Sequence, residues 1–384
     1  MIPLLRFNRY TCMIGAFCLL VTMFAAAAAA DAHIAPTASG KVYLPQITFR
    51  ACQSATPGSY CLVDLGAAGQ FSEASALNQH GDVAGAIFVP ASPFSGFITH
   101  PALATSGSFA DLPISAQSIG GWAYGINDSG LVVGNTENRP FRWSPATGLQ
   151  LLTVADSQSE IAWSVNNAGA IVGFNSNDAL LWEQNQRIVL SEPAEAIGNS
   201  LLAYDINNTG QIVGTADITS TLPNGFSTTG AVLWQNRVPQ LLEVPTGYHG
   251  SSAWSINNTG QIAGSLSVSE IDELGYYKTH AAIWQNNQWQ DLGTLVANKS
   301  SRANDINSQG LVVGYGELAT SHPSQLETHA LLWQNGAMID LNTRIAGETD
   351  WEIKNAKAIN DSGVILVQIR RGQEEHAALL IPAQ

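Results

Sequence analysis

Short runs of alternating apolar and polar residues recur along this chain, and the same polar turn interrupts them at regular intervals. The clearest unit is AWSINNTGQIAG at 253–264, repeated as AYDINNTGQIVG (203–214), ANDINSQGLVVG (303–314), AYGINDSGLVVG (123–134) and AWSVNNAGAIVG (162–173). ASALNQHGDVAG (74–85) and AKAINDSGVILV (356–367) are weaker copies. The repeated asparagine runs from Asn78 to Asn360 in six steps, a mean of 47 residues, which suits a four-stranded propeller blade. Within each copy, asparagine opens a turn and glycine follows three residues later, before an Ile/Val-rich run resumes. That spacing predicts a type I turn with a G1 bulge, hence a β-hairpin. A second hairpin follows, as HAAIWQNNQWQDLG (280–293), HALLWQNGAMIDLN (329–342), GAVLWQNRVPQLLE (230–243) or PFRWSPATGLQLL (140–152). Two hairpins per unit and seven units predict an all-β, seven-bladed β-propeller of four-stranded blades.

Four residues before each turn asparagine stands an alanine: Ala74, Ala123, Ala162, Ala203, Ala253, Ala303 and Ala356. Tyr124, Trp163, Tyr204 and Trp254 lie one position nearer the turn. A large face packing on a neighbour's small face would fill the space between blades, so these aromatics are expected in the interblade core. Eight residues after Ala104, Trp143, Trp182, Trp234, Trp284 and Trp333 come Leu112, Leu151, Leu190, Leu242, Leu292 and Leu341, each placed on a fourth strand. The seventh unit reaches only Leu380 before the chain stops, while YCLVDLG at 60–66 shows the same fourth-strand pattern ahead of the first unit. The N-terminal strand is therefore expected to complete the last blade and leave no sheet edge open.

The unit A-x-x-I-N-x-x-G-x-I-V-G, followed by H-A-x-x-W and D-L-G, resembles the bacterial extracellular repeats of the HAF family over about 60–384. The resemblance implies an exported, propeller-like repeat protein without an assigned reaction.

The N-terminus carries Arg6 and Arg9, an uncharged run from Met13 to Phe24, and an alanine tract from Ala25 to Ala30. This pattern is expected to be a Sec signal peptide over 1–30, followed by an arm over 31–59 and the propeller over 60–384. It predicts a secreted or periplasmic protein with no stable membrane insertion after cleavage. Cys12 and Cys18 would leave with the signal; Cys52 and Cys61 remain in a compartment that permits disulfides and are expected to pair. Thirty acidic residues against 16 basic ones give a net charge of −14, which argues against nucleic acid and anionic lipid as partners. A monomer is expected.

The chemistry is sparser than the architecture. His100, His280, His329 and His376 each lie four residues before the third-strand Trp position, and Asp111, Asp291, Asp340 and Asp64 occupy the matching fourth-strand position. Two-residue turns would place each pair diagonally on one sheet face, so an intrablade His–Asp hydrogen bond is expected and a metal centre is not. No cofactor motif is present. Connections at one end of the ring vary in length and carry Tyr248, His249, Tyr276, Tyr277 and Trp351, the candidate ligand-binding face for an extracellular glycan or protein. Aromatics that merely anchor their own loops are the competing reading. Asp205 and Asp305 depart from the repeat and are the best-placed carboxylates for a propeller hydrolase or lyase acting on polysaccharide, although polar filling between blades would explain them too. A structural surface or matrix component is the third alternative.

Overall fold

A computed structural model describes residues 58–383, apart from segments at 67–71, 91–96, 106, 114–119, 153–158, 219–227, 273–276 and 321–326. The expected signal peptide, Cys52 and Tyr276 lie outside the described residues. Seven antiparallel four-stranded sheets follow one another along the chain. Their innermost strands are Ser72–Leu77, Gly121–Ile126, Ile161–Val165, Ala196–Ile206, Gly250–Ile256, Ser301–Ile306 and Glu352–Ile359, and these touch in a closed circle, blade seven against blade one. The protein is an all-β seven-bladed propeller.

The last blade is completed from the N-terminus. Tyr60–Asp64 pairs antiparallel with Glu374–Pro382, with Leu62 opposite Leu380 and Asp64 opposite Ala378. The latch is reinforced by a parallel bridge from Tyr60 to Ile345 and by Ala383 N–H donating to the Ser59 carbonyl at 2.9 Å. The final sheet is thus one strand from one end of the propeller and three from the other.

The core is divided into seven wedges, each shared by two neighbouring blades. Between blades three and four, for example, Leu181 and Leu190 meet Leu201, Ala203, Ile206, Ile212 and Trp234. The third-strand tryptophan points back at the preceding blade, where Trp234 Nε1 donates to the Ser191 carbonyl at 2.8 Å and Trp333 Nε1 to that of Leu292 at 3.1 Å. One expected position shifts by a residue. Leu151 is 41% exposed and Leu152 takes the core site, because Ser144–Gly148 makes a longer turn than the two-residue turns at Gln184–Asn185 or Asn286–Asn287.

Each innermost strand carries a β-bulge one residue after the repeated alanine, at Ser75, Tyr124, Trp163, Tyr204, Trp254, Asn304 and Lys357. A bulged residue leaves the alternation of the sheet, so its side chain is freed from the interblade face. Tyr124, Trp163 and Trp254 accordingly do not pack on a neighbour's alanine face as expected; they are half-buried along the inner circle. The bulge also explains the second motif glycine. A Cβ at Gly85, Gly134, Gly173, Gly214, Gly264 or Gly314 would lie 1.8–2.2 Å from a main-chain oxygen of the facing strand. Only blade seven has a side chain there, Val367, and its innermost strand carries an additional register shift between Ile353 and Asn355.

The repeated asparagine does more than turn the chain. Asn257 Oδ1 accepts the main-chain N–H of Thr259 and Gln261, at 3.0 and 2.9 Å, which holds its own turn. Its Nδ2 donates to the carbonyl of Asn307 in the next blade at 2.9 Å. The same interblade bond runs from every blade to the next, and Asn360 Nδ2 to the Asn78 carbonyl at 3.3 Å closes the belt. A second set of bonds accompanies it at six of the seven blade boundaries, in which the next residue's N–H donates to the side chain of its counterpart, as in Asn208 N–H to Asn258 Oδ1 at 2.9 Å and Asp361 N–H to Gln79 Oε1 at 2.9 Å.

Candidate functional site

The two ends of the ring differ in kind. Tight turns crowd one end; the other carries the connections between second and third strands and between blades. Around the inner circle towards this loop-bearing end, the bulged residues of blades two to five form a run of rings. Tyr124 stacks on Trp163 with centroids 4.8 Å apart, Trp163 meets Tyr204 at 5.9 Å, and Tyr204 meets Trp254 at 4.7 Å. Trp122 and Phe88 extend the run at one end, and the Arg302 guanidinium lies 3.6 Å from the Trp254 ring centroid at the other. Burial raises the Tyr124 hydroxyl pKa, and the nearby Glu73 carboxylate adds to the shift.

Blades six, seven and one put polar groups at the same bulge. Asn304 Nδ2 donates to Asn355 Oδ1 at 2.7 Å and to the Ala356 carbonyl at 2.8 Å. Lys357 Nζ lies 3.6 Å from Glu73 Oε1, and Ser75 Oγ accepts from Trp122 Nε1 at 2.8 Å. The inner circle is therefore aromatic on four blades and polar on three.

All four His–Asp pairs form, on blades one, five, six and seven. Nδ1 of His100, His280 and His329 lies 2.8, 2.7 and 2.7 Å from Asp111, Asp291 and Asp340, and His376 lies 2.9 Å from Asp64 across the latch. The register that pairs Ala282 with Asp291 makes each contact a diagonal one, as the spacing predicts. Each pair sits on its own blade. On blade five the pair has a third member, Tyr248, whose hydroxyl donates to Asp291 Oδ2 at 2.8 Å. Burial, with the Asp291 hydrogen bond and charge added, pushes the Tyr248 hydroxyl up to about 12. The hydrogen bond to Asp291 raises His280, and although burial pulls Asp291 upward, its donors His280, Gly293 N–H and Tyr248 hold it below the usual carboxylate range.

The loop-borne candidates separate into two groups. Tyr248 and His249 adjoin Tyr277, with the His249 and Tyr277 rings 5.0 Å apart and His249 Nε2 3.1 Å from Ser269 Oγ. Trp351 belongs to blade seven, between the His376 ring at 4.9 Å and the Arg371 guanidinium at 4.4 Å. Nearby, Lys354 and Arg370 both pair with Glu327, at 2.6 and 2.5 Å, and hold its carboxyl at about 2.

Asp205 and Asp305 lie towards the opposite end, where a polar cavity of about 170 Å³ is lined by the seven asparagine turns. Asp205 Oδ1 accepts from Ser164 Oγ at 2.7 Å and from Ile206 N–H at 2.9 Å, while its Oδ2 accepts from Ile256 N–H of the next blade at 2.9 Å. Asp305 accepts from Ile306 N–H and, across the blade boundary, from Ile359 N–H, both at 2.8 Å. Each carboxyl is thus a clip between two blades, the polar-filling alternative to acid–base chemistry. Among the described residues, no group of three or more His, Cys, Asp or Glu side chains is arranged to hold a metal ion.

The four pairs are legible in the sequence; the asparagine bonds between blades and the run of bulged side chains are not. The register reveals the bulge: Ala253 and Ser255 lie opposite the consecutive residues Gly264 and Ala263, which leaves Trp254 as the inserted residue.

Residues 235–375 match the family model described as "Protein of unknown function (DUF3466)", here carried on a β-propeller. No curated protein matches the chain. Among solved structures, the chain is similar to the β-propeller domain of the Trilobed protease from Pyrococcus furiosus, described as having an open velcro topology. That match has 10% identity and a TM-score of 0.51, over 86% of this chain and 97% of that one. It is also similar to an oligogalacturonate lyase in complex with manganese, with 11% identity and a TM-score of 0.54, over 86% and 95% of the two chains. At such identities these similarities concern the fold alone.

Proposed function

We propose that the chain is an exported binding module of the HAF-repeat type that recognises an extracellular glycan through its loop-bearing end, with no reaction assigned to it. The observation that carries this reading is the divided inner circle. Sugar rings present apolar C–H faces beside hydroxyl groups, and half-buried Tyr124, Trp163 and Trp254 opposite Ser75, Asn304 and Lys357 offer a counterpart to both. The variable connections rim the same end, and the Tyr248, His249 and Tyr277 group adds a polar and aromatic edge. Asp205 and Asp305, the carboxylates considered for a hydrolase or lyase, lie away from this end and commit oxygens to main-chain N–H groups.

The test is a glycan array probed with the mature protein, followed by titration of whatever is captured. Trp163→Ala and Trp254→Ala are expected to weaken capture at least tenfold, about 1.4 kcal/mol, while Val238→Ala, on an exposed outer strand, leaves it unchanged. Capture indifferent to both tryptophans, or no capture from a broad array, defeats the reading.

A further inference from the structure

The innermost strands of blades three to six place Ser164, Asp205, Ser255 and Asp305 at equivalent positions, two before the turn asparagine, so serine and aspartate alternate around half of the circle. Ser255 stands between the two carboxyls. Its Oγ lies 3.1 Å from Asp205 Oδ2 and 2.6 Å from Asp305 Oδ1. A hydroxyl carries one proton and can satisfy only one of those oxygens as donor. With both carboxylates ionised, the other contact would set a lone pair against a buried anion at hydrogen-bonding distance. The short contact is therefore one proton deficient.

We infer that the Asp205–Ser255–Asp305 bridge holds a shared proton, carried on Asp305, and that this proton forms a pH-sensitive latch between blades four, five and six. The hydrogen then runs from Asp305 Oδ1 to Ser255 Oγ, and the serine hydroxyl donates onward to Asp205 Oδ2. Asp305 is the carrier because Asp205, although burial raises it as well, has more donors to hold it as an anion. Asp205 has Ser164, Ile206, Ile256 and Ser255 as donors, whereas Asp305 has only the N–H groups of Ile306 and Ile359 besides the serine. The length of 2.6 Å also falls in the range of strong O–H···O contacts.

Among the described residues that line the adjoining cavity, none supplies a compensating cation. The equivalent positions of blades seven, one and two are Ala358, Ala76 and Gly125. The charged residues that line the adjoining cavity are Asp205, Asp305, Asp128 and Asp361, with no Lys, Arg or His among them. Burial pushes Asp305 up to about 6, and the charge of Asp205 adds to the shift. A carboxyl raised in the folded state stabilises the fold fully below its unfolded pKa, near 4, and loses that contribution as pH rises through about 6.

The experiment compares melting temperature against pH for the wild type, Asp305→Asn and Asp205→Asn. The amide of Asp305→Asn supplies the donor of the protonated acid: Nδ2 in place of Oδ1 donates to Ser255 and the amide oxygen accepts from Ile359 N–H, at the loss of the acceptor for Ile306 N–H. The wild type should melt progressively lower between pH 4.5 and 7.5 than Asp305→Asn does, so that the variant equals or exceeds it at pH 8. Asp205→Asn sets an amide donor against Ser and N–H donors, and should melt lower than the wild type throughout. Infrared difference spectra at pH 5 should show a protonated-carboxyl band that Asp305→Asn abolishes. Equal destabilisation by the two variants, a melting difference that does not change with pH, or loss of stability on chelator treatment pointing to a bound cation would each overturn the inference. Should a variant fail to fold, the wild type alone decides: a buried protonated-carboxyl band present at pH 5 and lost by pH 8 supports the shared proton, and its absence at pH 5 overturns it.

Discussion

At the scale of single residues, the histidines show how a pattern that resembles catalysis resolves into architecture. His280 and Asp291 lie on neighbouring strands, about a quarter exposed, and the bond between them ties the start of the third strand to the end of the fourth. Solvent screening keeps such a contact modest, about 0.5–1 kcal/mol of coupling. A double-mutant cycle of His280→Ala and Asp291→Ala, read by denaturant unfolding, should return that coupling; strictly additive losses would remove the bond from the account. The sign of its pH dependence is fixed. His280 is raised, so its share is complete below pH 6.5 and fades as pH climbs through the folded-state value. Asp291 is lowered, so its share is present above its unfolded pKa and fades in acid. The coupling should therefore be largest in the mildly acidic range between the two. These pairs were legible in the sequence because two residues at fixed distances from one tryptophan can be projected onto a sheet by counting.

Within the elements, the bulge explains both what was legible and what was not. The hairpins, turn types and four-strand count follow from asparagine and glycine at fixed spacing, since left-handed residues such as Gly210 and Gly260 announce themselves. The direction of Tyr124, Trp163 and Trp254 does not follow, because strict alternation puts them on an interblade face and a single inserted residue turns them onto the inner circle. The asparagine bonds between blades were hidden for a different reason. They join equivalent residues of different repeats, so nothing inside one repeat distinguishes an asparagine that turns the chain from one that also ties it to the next blade. The bulge does make a strong prediction about its neighbour. A methyl group at Gly214 would stand 1.8 Å from the Leu202 carbonyl oxygen, so Gly214→Ala must force the two strands apart or undo the bulge. Its cost should be about 2–4 kcal/mol by chemical denaturation. The same change at Gly247, where an added Cβ meets nothing, should lower stability only through its positive φ, and by clearly less.

For the whole molecule, stability depends on a circle whose two ends meet in one sheet, and the latch decides whether it behaves as one unit. Tyr60–Asp64 supplies the outer edge of blade seven, Leu65 enters the wedge shared by blades seven and one, and Asp64 binds His376. Removing everything before Gly66 would bare the Glu374–Pro382 edge and empty part of that wedge. An unpaired strand edge is a template for association. The truncated protein should therefore melt well below the mature one and show higher-order species by light scattering, whereas truncation ahead of Cys52 should do neither. Cys61 lies buried in the latch strand opposite Ile381. Pairing with Cys52, nine positions earlier, would close a short loop beside the strand whose release opens the ring. Titration of the denatured mature protein without reductant should then find no free thiol, and reductant should lower the melting temperature of the mature protein while leaving the truncated one unchanged. Two free thiols would mean that hydrogen bonds and the wedge alone hold the circle closed.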